Sequence, residues 1–139
     1  MTDEKHEDVM RVANEFNPFT RVNDIMLTEL SDGRAVVEHE VKRESLNYNG
    51  VVHGGLIATM MDFAGGAAAR GDGRMYVTSD MNVNFIGNIG SGKLTAESDI
   101  VSRGGTLCNV HMRVTAEDGK KLIADGTGTY FCIGREKRD

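Results

Sequence analysis

Several features are scarce in this chain of 139 residues, and the scarcity of spaced cysteines, long apolar runs and basic residues argues against three classes of protein. There is no tryptophan, one proline, and two cysteines, Cys108 and Cys132, which lack the CxxC spacing of redox or zinc sites. No apolar run approaches the roughly 20 residues that span a bilayer, so we expect no membrane partner. Acidic residues outnumber basic ones 21 to 16, so the basic face of a nucleic-acid-binding protein is not expected.

What remains is typical of one globular domain with reduced thiols. The length is near the usual size of a single domain, and an apolar content of 40% can supply a sizeable core. Residues 1–17 have no basic start followed by an apolar run, so we expect a cytoplasmic protein. His6, His39 and His111 show no metal-ligand spacing, and we therefore expect no metal.

The hydrophobic pattern predicts one α+β domain over residues 1–139. A helix over 5–16 ends at Asn17-Pro18, within an N-terminal helical extension of residues 1–19. Asp32-Gly33 predicts a hairpin turn, and a polar loop precedes a nearly uncharged, apolar helix. The strands are expected at 24–31, 34–43, 75–86, 93–102, 106–116 and 120–133, the loop at 44–53, the apolar helix at 54–70, and a frayed charged tail at 134–139. Long strands with short turns favour an antiparallel meander that curls around the apolar helix.

The start of the apolar helix is the first candidate for a site. A helix N-terminus exposes unpaired N–H groups and a partial positive charge. Gly54 and Gly55 lack side chains there, so a ligand oxygen can approach those donors closely, as in an oxyanion hole. The alternative is that the two glycines only permit a sharp turn from loop to helix.

Asp62 is the second candidate, because it is an acid within the most apolar stretch of the chain. A buried carboxylate without partners is costly. Asp62 either lies on a solvated face of the helix or serves as a general base or nucleophile at a pocket wall. Neighbouring positions such as Thr59 and Gly66 supply no charged face, which favours the functional interpretation.

The two candidates are too far apart to act together within one chain. Eight positions separate Gly54 from Asp62, which is about 12 Å along a helix. A two-fold dimer with antiparallel helices would bring the Asp62 of one chain near the helix N-terminus of the other. Gly65 and Gly66 in the same helix serve either a close helix crossing at such an interface or packing against a bulky strand residue.

The pattern formed by Asn47, His53-Gly54-Gly55 and Asp62, followed by a strand reading VTSDMNVNF, resembles the hotdog-fold acyl-CoA thioesterases. The nearest branch is the PaaI-like, phenylacetate-degradation type, and the resemblance covers about residues 20–133. It implies a hotdog fold, in which a long antiparallel sheet wraps around one central helix. It also implies a homotetramer, a dimer of dimers with each site at a subunit interface, and no cofactor beyond the CoA of the substrate.

The resemblance implies a role for each residue of the motif. The backbone N–H of Gly54 or Gly55 would polarise the thioester carbonyl, assisted by Asn47. Asp62 would activate water or attack directly, and Thr78 would orient the water. His53 would hold the loop and its glycines in place.

The CoA contacts follow from the same resemblance. The turn Ser102–Thr106 is the candidate for the phosphate site, where Arg103 would pair with a phosphate and Gly104 and Gly105 would offer N–H donors. The alternative there is a plain hairpin turn with an exposed arginine. Asn84 and Phe85, at the end of the preceding strand, are candidates to border the ligand.

Three functions are compatible with this fold. The first is hydrolysis of an acyl-CoA to a free acid and CoA. The second is a hydratase or dehydratase, for which the chain lacks an Asp-x-Asn-Pro-x-His segment. The third is a non-catalytic acyl-CoA sensor or binding module, against which the set of Asn47, Asp62 and Thr78 argues. The sequence fixes neither the acyl group, nor CoA against an acyl-carrier protein, nor the attacking group.

Overall fold

The computed structural model describes residues 1–135, in which a six-stranded antiparallel sheet surrounds a long helix. Three helices and a 3₁₀ turn at Arg43–Ser45 accompany the six strands. The helices are α1 (Asp3–Phe16), α2 (Pro18–Val22) and α3 (Gly54–Arg70). The strands are β1 (Met26–Ser31), β2 (Arg34–Glu40), β3 (Arg74–Phe85), β4 (Lys93–Arg103), β5 (Leu107–Ala116) and β6 (Lys121–Arg135). The predicted α+β hotdog architecture is confirmed.

The strands lie in the order β1-β2-β4-β5-β6-β3, and every neighbouring pair is antiparallel. The prediction of a simple meander is correct for β4 to β6 and wrong for β3. The chain leaves α3, runs as β3 along the far edge beside β6, and returns to place β4 next to β2. Strand β3 thus has one hydrogen-bonded neighbour and one open edge.

Helix α3 crosses the sheet and forms the centre of the core. Its bounds match the predicted ones, since the apolar run of the sequence is the helix itself. Ile57, Met60, Met61 and Ala64 are fully buried on it and contact a core of aliphatic side chains from the strands. Gly71 follows directly and ends the helix. The helix can be nearly uncharged because the protein surrounds most of it.

The N-terminal segment differs in detail from the prediction. Asn17 ends α1 in an extended conformation, and Pro18 begins a second short helix, because a proline suits the first position of a helix. The side-chain amide of Asn14 donates to the Leu27 carbonyl (2.9 Å) and accepts from the Leu27 N–H (2.8 Å). The ring of His6 donates to the Gly71 carbonyl at 3.0 Å. Helix α1 is therefore fixed to β1 and to the end of α3.

The C-terminal tail begins later than predicted. Gly134 and Arg135 belong to β6, where they pair with Met75 and Arg74. The other residues of the predicted tail, 136–139, lie outside the described residues.

No helix within residues 1–135 has the length and hydrophobicity needed to cross a bilayer.

Candidate active site

The start of α3 leaves one backbone donor open. His53 caps the helix, and its Nδ1 accepts the Gly55 N–H at 2.9 Å. The His53 N–H in turn donates to the Ser45 carbonyl at 2.9 Å, which holds the cap on the preceding loop. The Gly54 N–H makes no hydrogen bond within residues 1–135. The structure thus distinguishes the two glycines: the predicted Gly55 donor is used by His53, and Gly54 keeps a donor for a ligand.

The Asn47 side chain holds its own loop. Its Oδ1 accepts from the N–H groups of Asn49 (2.9 Å) and Val51 (3.4 Å), and its backbone N–H bonds the Val51 carbonyl at 2.8 Å. These bonds form the turn that leads into α3. The Nδ2 donors of Asn47 have no partner among the described residues, so the amide offers them to a ligand.

Asp62 is half-buried on α3, and two hydroxyl groups hold one of its oxygens. Thr78, which lies on strand β3, donates from Oγ1 to Asp62 Oδ1 at 2.7 Å. Tyr130 donates to the same Oδ1 at 3.1 Å from strand β6, and its hydroxyl lies 3.2 Å from the Asp62 carbonyl. The structure therefore brings the predicted pair of Asp62 and Thr78 together. The second carboxylate oxygen, Oδ2, has no bonded partner within residues 1–135.

Tyr130 is a candidate site residue that sequence reasoning missed. Its side chain is 1% exposed. Burial raises the pKa of the Tyr130 hydroxyl well above its usual value, and the nearby charge of Asp62 adds to this, so the hydroxyl stays a donor.

Glycines make room for the Tyr130 ring. A Cβ atom at Gly65 would overlap the Tyr130 hydroxyl, and one at Gly128 would lie 2.9 Å from the ring carbon Cε2. A Cβ at Gly66 would meet the ring at 3.5 Å, an ordinary contact. The alternative that Gly65 packs against a bulky strand residue is therefore the correct one within this chain. Gly65 and Gly66, two glycines within a helix, are the sequence feature that could have indicated a large side chain packed against α3.

A cavity of about 500 Å³ opens beside Asp62. Asp62, Thr78 and Tyr130 lie on one wall, together with Phe63 and Gly66 of α3. Residues of α1 line the same cavity. The volume lies within the range of small-molecule sites. The carboxylate consequently faces a space that a substrate could occupy.

Phe85, a predicted neighbour of the ligand, lies beside the start of α3. A Cβ atom at Gly54 would lie 3.4 Å from the ring carbon Cε1 of Phe85, and the phenylalanine is 57% exposed. Asn84 is exposed on β3 and contacts Asn82, with 3.4 Å between Nδ2 and Oδ1. The structure thus places Phe85 at the helix start.

The Arg103 side chain, predicted to pair with a CoA phosphate at the turn after β4, is bonded within the chain. Arg103 turns inward, where it donates to the Ala69 carbonyl (2.7 Å) and pairs with Asp72 (2.7 Å). Arg74 donates to the carbonyls of Gly104 (3.0 Å) and Gly105 (2.9 Å). The Gly104 N–H donates to the carbonyl of Leu107. The alternative of an exposed arginine is wrong, because the carbonyls at the end of α3 and a half-buried acid hold the side chain, which is 21% exposed. Pairing of Arg103 with a phosphate stays a prediction.

Residues 1–135 contain no group of three or more His, Cys, Asp or Glu side chains placed to hold a metal ion. The pairing of His111 with Asp125 at 3.2 Å is a contact between two neighbouring strands.

Comparison with known proteins identifies the family. The family model described as "Thioesterase superfamily" matches residues 49–123, which is more than half of the chain and includes the start of α3, Asp62 and Thr78. This chain belongs to the thioesterase superfamily.

Individual relatives agree with that assignment. The human acyl-coenzyme A thioesterase 13 is 29% identical over 126 residues, covering 88% of this chain and 90% of that protein. The Escherichia coli PaaI protein from the phenylacetic acid degradation operon superposes with a TM-score of 0.90 over 97% of this chain and 98% of that one, at 22% identity, and confirms the PaaI-like hotdog fold.

A Streptococcus pneumoniae thioesterase has been solved with coenzyme A. It is 28% identical, with a TM-score of 0.76, and the match covers 81% of this chain and 88% of that one. Structures of the same pneumococcal protein also exist in which alanine replaces an aspartate or a threonine, two residues that lie sixteen positions apart in that chain.

Proposed function

We propose that this protein is an acyl-CoA thioesterase that hydrolyses its substrate to a free acid and CoA. The observation that carries the proposal is the Asp62 carboxylate, which has one oxygen held by Thr78 and Tyr130 and the other unbonded beside a cavity. Support comes from the human and pneumococcal relatives, one named for acyl-CoA hydrolysis and the other solved with CoA. Asp62 and Thr78 are also sixteen positions apart, the spacing of the pneumococcal aspartate and threonine.

The proposed reaction uses Asp62 Oδ2 as the reacting oxygen. As a general base it takes a proton from water, whose oxygen attacks the thioester carbonyl carbon; the C–S bond then breaks and the proton passes to the leaving sulfur. As a nucleophile it would itself bond that carbon while the C–S bond breaks, giving an anhydride and the CoA thiolate. Water then opens the anhydride to the free acid and the Asp62 carboxylate, and the proton released passes to the thiolate. In both routes negative charge develops on the carbonyl oxygen. The free N–H of Gly54 and the amide donors of Asn47 are suited to stabilise that charge.

The proposed site needs two chains. Gly54 and Asp62 lie about 12 Å apart along the same helix, so one carbonyl group cannot touch both within one chain. Strand β3 carries Thr78 and has an open edge of 12 residues. We propose a homodimer that pairs across this edge, with Asp62 of one chain facing Gly54 of the other, and a homotetramer made of two such dimers.

Thiol release from a panel of acyl-CoAs tests the chemistry. We expect wild-type hydrolysis and a loss of roughly a hundredfold or more in kcat for Asp62→Asn. Asp118→Asn makes the same chemical change in the exposed turn between β5 and β6 and should retain wild-type rates. Binding of acyl-CoA by the wild type without any hydrolysis would instead identify a sensor of the same fold. Equal rates for Asp62→Asn and wild type would refute the assigned acid.

Mixed dimers test the shared site in the same assay. Gly54→Pro removes the N–H donor while keeping a residue that suits the first helical position. Co-expression of Asp62→Asn with Gly54→Pro chains should restore about one quarter of the wild-type activity, because half of the dimers are mixed and each has one intact site. No recovery from mixed dimers would mean that both groups act within one chain.

A further inference from the structure

Helix α1 lines the same cavity as the proposed catalytic acid. Its side chains Val9, Val12, Ala13 and Phe16 and the Asp62 side chain all border this space. Val12 and Ala13 are adjacent, and each lies three or four residues from both Val9 and Phe16, so the four side chains share one face of the helix. All four side chains are apolar, and Asp8 of the same helix also lines the cavity.

The position of this wall is fixed by bonds outside the cavity. His6 ties the first part of α1 to the carbonyl of Gly71 at the end of α3. Asn14 ties the last turn to both backbone groups of Leu27 in β1. The residues that face the cavity lie between and beside these two anchors. A substitution on that face therefore changes the shape of the cavity without removing what holds the helix.

The rim and the floor of the cavity differ in polarity. Asp8 and Arg70 line it as well, and both are exposed, so the charged groups are on the solvent side. Leu27 and Phe63 contribute further apolar surface, and Leu27 is 1% exposed. An uncharged, apolar group beside Asp62 would replace water along most of this surface, which is favourable.

We infer that the cavity between α1 and α3 is the acyl pocket, that it takes uncharged, apolar acyl groups, and that Val9, Val12 and Phe16 determine how large a group is accepted. This inference rests on the proposed thioesterase function, which supplies the reacting carbonyl at Asp62. The acyl chain extends from that carbonyl into the cavity, and the CoA part lies outside it. Each methylene group that enters the pocket should raise kcat/KM about fourfold until the pocket is full.

A series of straight-chain acyl-CoAs from acetyl upward measures the size of the pocket. We expect kcat/KM of the wild type to rise with chain length and then level off. Val12→Trp fills the cavity from a position that is 46% exposed and so should fold. It should move the levelling point to a shorter chain and lower the ratio of long-chain to short-chain kcat/KM by tenfold or more. Val9→Ala enlarges the same wall and should move that ratio in the opposite direction.

Val22→Trp is the matched control, since Val22 is an exposed valine of the N-terminal segment (77%, against 46% for Val12) that does not line the cavity. Its chain-length profile should equal that of the wild type. Hydrolysis by the wild type with the same profile in both Val12→Trp and Val9→Ala would overturn the pocket and leave the thioesterase intact. Absence of hydrolysis for every acyl-CoA in the wild type would overturn the proposed function, and this inference with it.

Discussion

The Tyr130 hydroxyl is expected to control the catalytic rate through the Asp62 carboxylate. Phenylalanine at this position keeps the ring in its glycine-lined space and removes the hydroxyl that donates to Asp62 Oδ1 at 3.1 Å. A hydrogen bond to a charged group contributes about 1.5–3 kcal/mol, which corresponds to about 10- to 150-fold in rate. Thr78 still holds the same oxygen at 2.7 Å, so we expect the lower end, about tenfold in kcat.

A double-mutant cycle separates positioning from folding. In the Thr78→Val variant, the Tyr130 hydroxyl still restrains Asp62 Oδ1. In the Tyr130→Phe variant, the Thr78 hydroxyl still restrains it. Neither hydroxyl remains in the double variant, so its loss in kcat should exceed the product of the single losses by about twofold or more. KM should change less than kcat in all three variants, because the oxygen that the hydroxyls restrain acts in the chemical step.

Thr129→Val is the control for this cycle. It removes a hydroxyl from the neighbouring residue, which bonds Asn109 at 3.1 Å instead of Asp62. The reasoning would be refuted if Tyr130→Phe kept the wild-type kcat, or if it lost activity only in parallel with its thermal unfolding temperature.

The remaining predictions concern stability. Gly65→Ala should lower the free energy of unfolding by about 1–3 kcal/mol, because its Cβ would overlap the Tyr130 hydroxyl. Gly66→Ala meets the ring only at ordinary distance and should be neutral or stabilising, so equal urea midpoints for the two variants would contradict the packing. Burial raises the pKa of Asp72, but hydrogen bonds from the backbone and side chain of Arg74 outweigh it, and the pKa lies below its ordinary value of 3.8. Since the unfolded-state pKa is about 3.9, the stability from ionised Asp72 is complete above about pH 5 and is lost as the pH falls through the folded-state pKa. The difference in unfolding free energy between wild type and Asp72→Asn should therefore shrink between about pH 5 and about pH 3. A difference that is constant over this range would contradict the assignment.

The parts of the fold that depend on local sequence could be predicted. The bounds of α3 follow from an uncharged run that ends at Gly71, and the first hairpin follows from Asp32-Gly33. The place of β3 could not be predicted, because its pairing with β6 joins segments some fifty residues apart and no turn marks it.

The candidate site shows the same limit. Asp62 and Thr78 were identifiable as a pair through the resemblance, whereas Tyr130 is 68 positions from Asp62 and meets it only through the folded sheet. The inward direction of Arg103 could not be predicted, because a glycine-rich turn after a strand indicates exposure. The carbonyls that attract it belong to α3, more than thirty positions earlier in the chain.

The two edge strands of the sheet, β1 and β3, differ in whether their outward backbone groups are bonded. This difference determines how many other chains can add a strand to the sheet. At the β1 border, the Asn14 amide occupies the outward N–H and C=O of Leu27, as a further strand would, and α1 lies along it. At the β3 border, no side chain within residues 1–135 occupies the outward backbone groups in this way. The molecule is thus monovalent for edge-to-edge pairing. A monovalent sheet that meets its like closes after a single addition and cannot grow into a fibre, so the long strand can stay uncovered in each chain without inviting polymerisation.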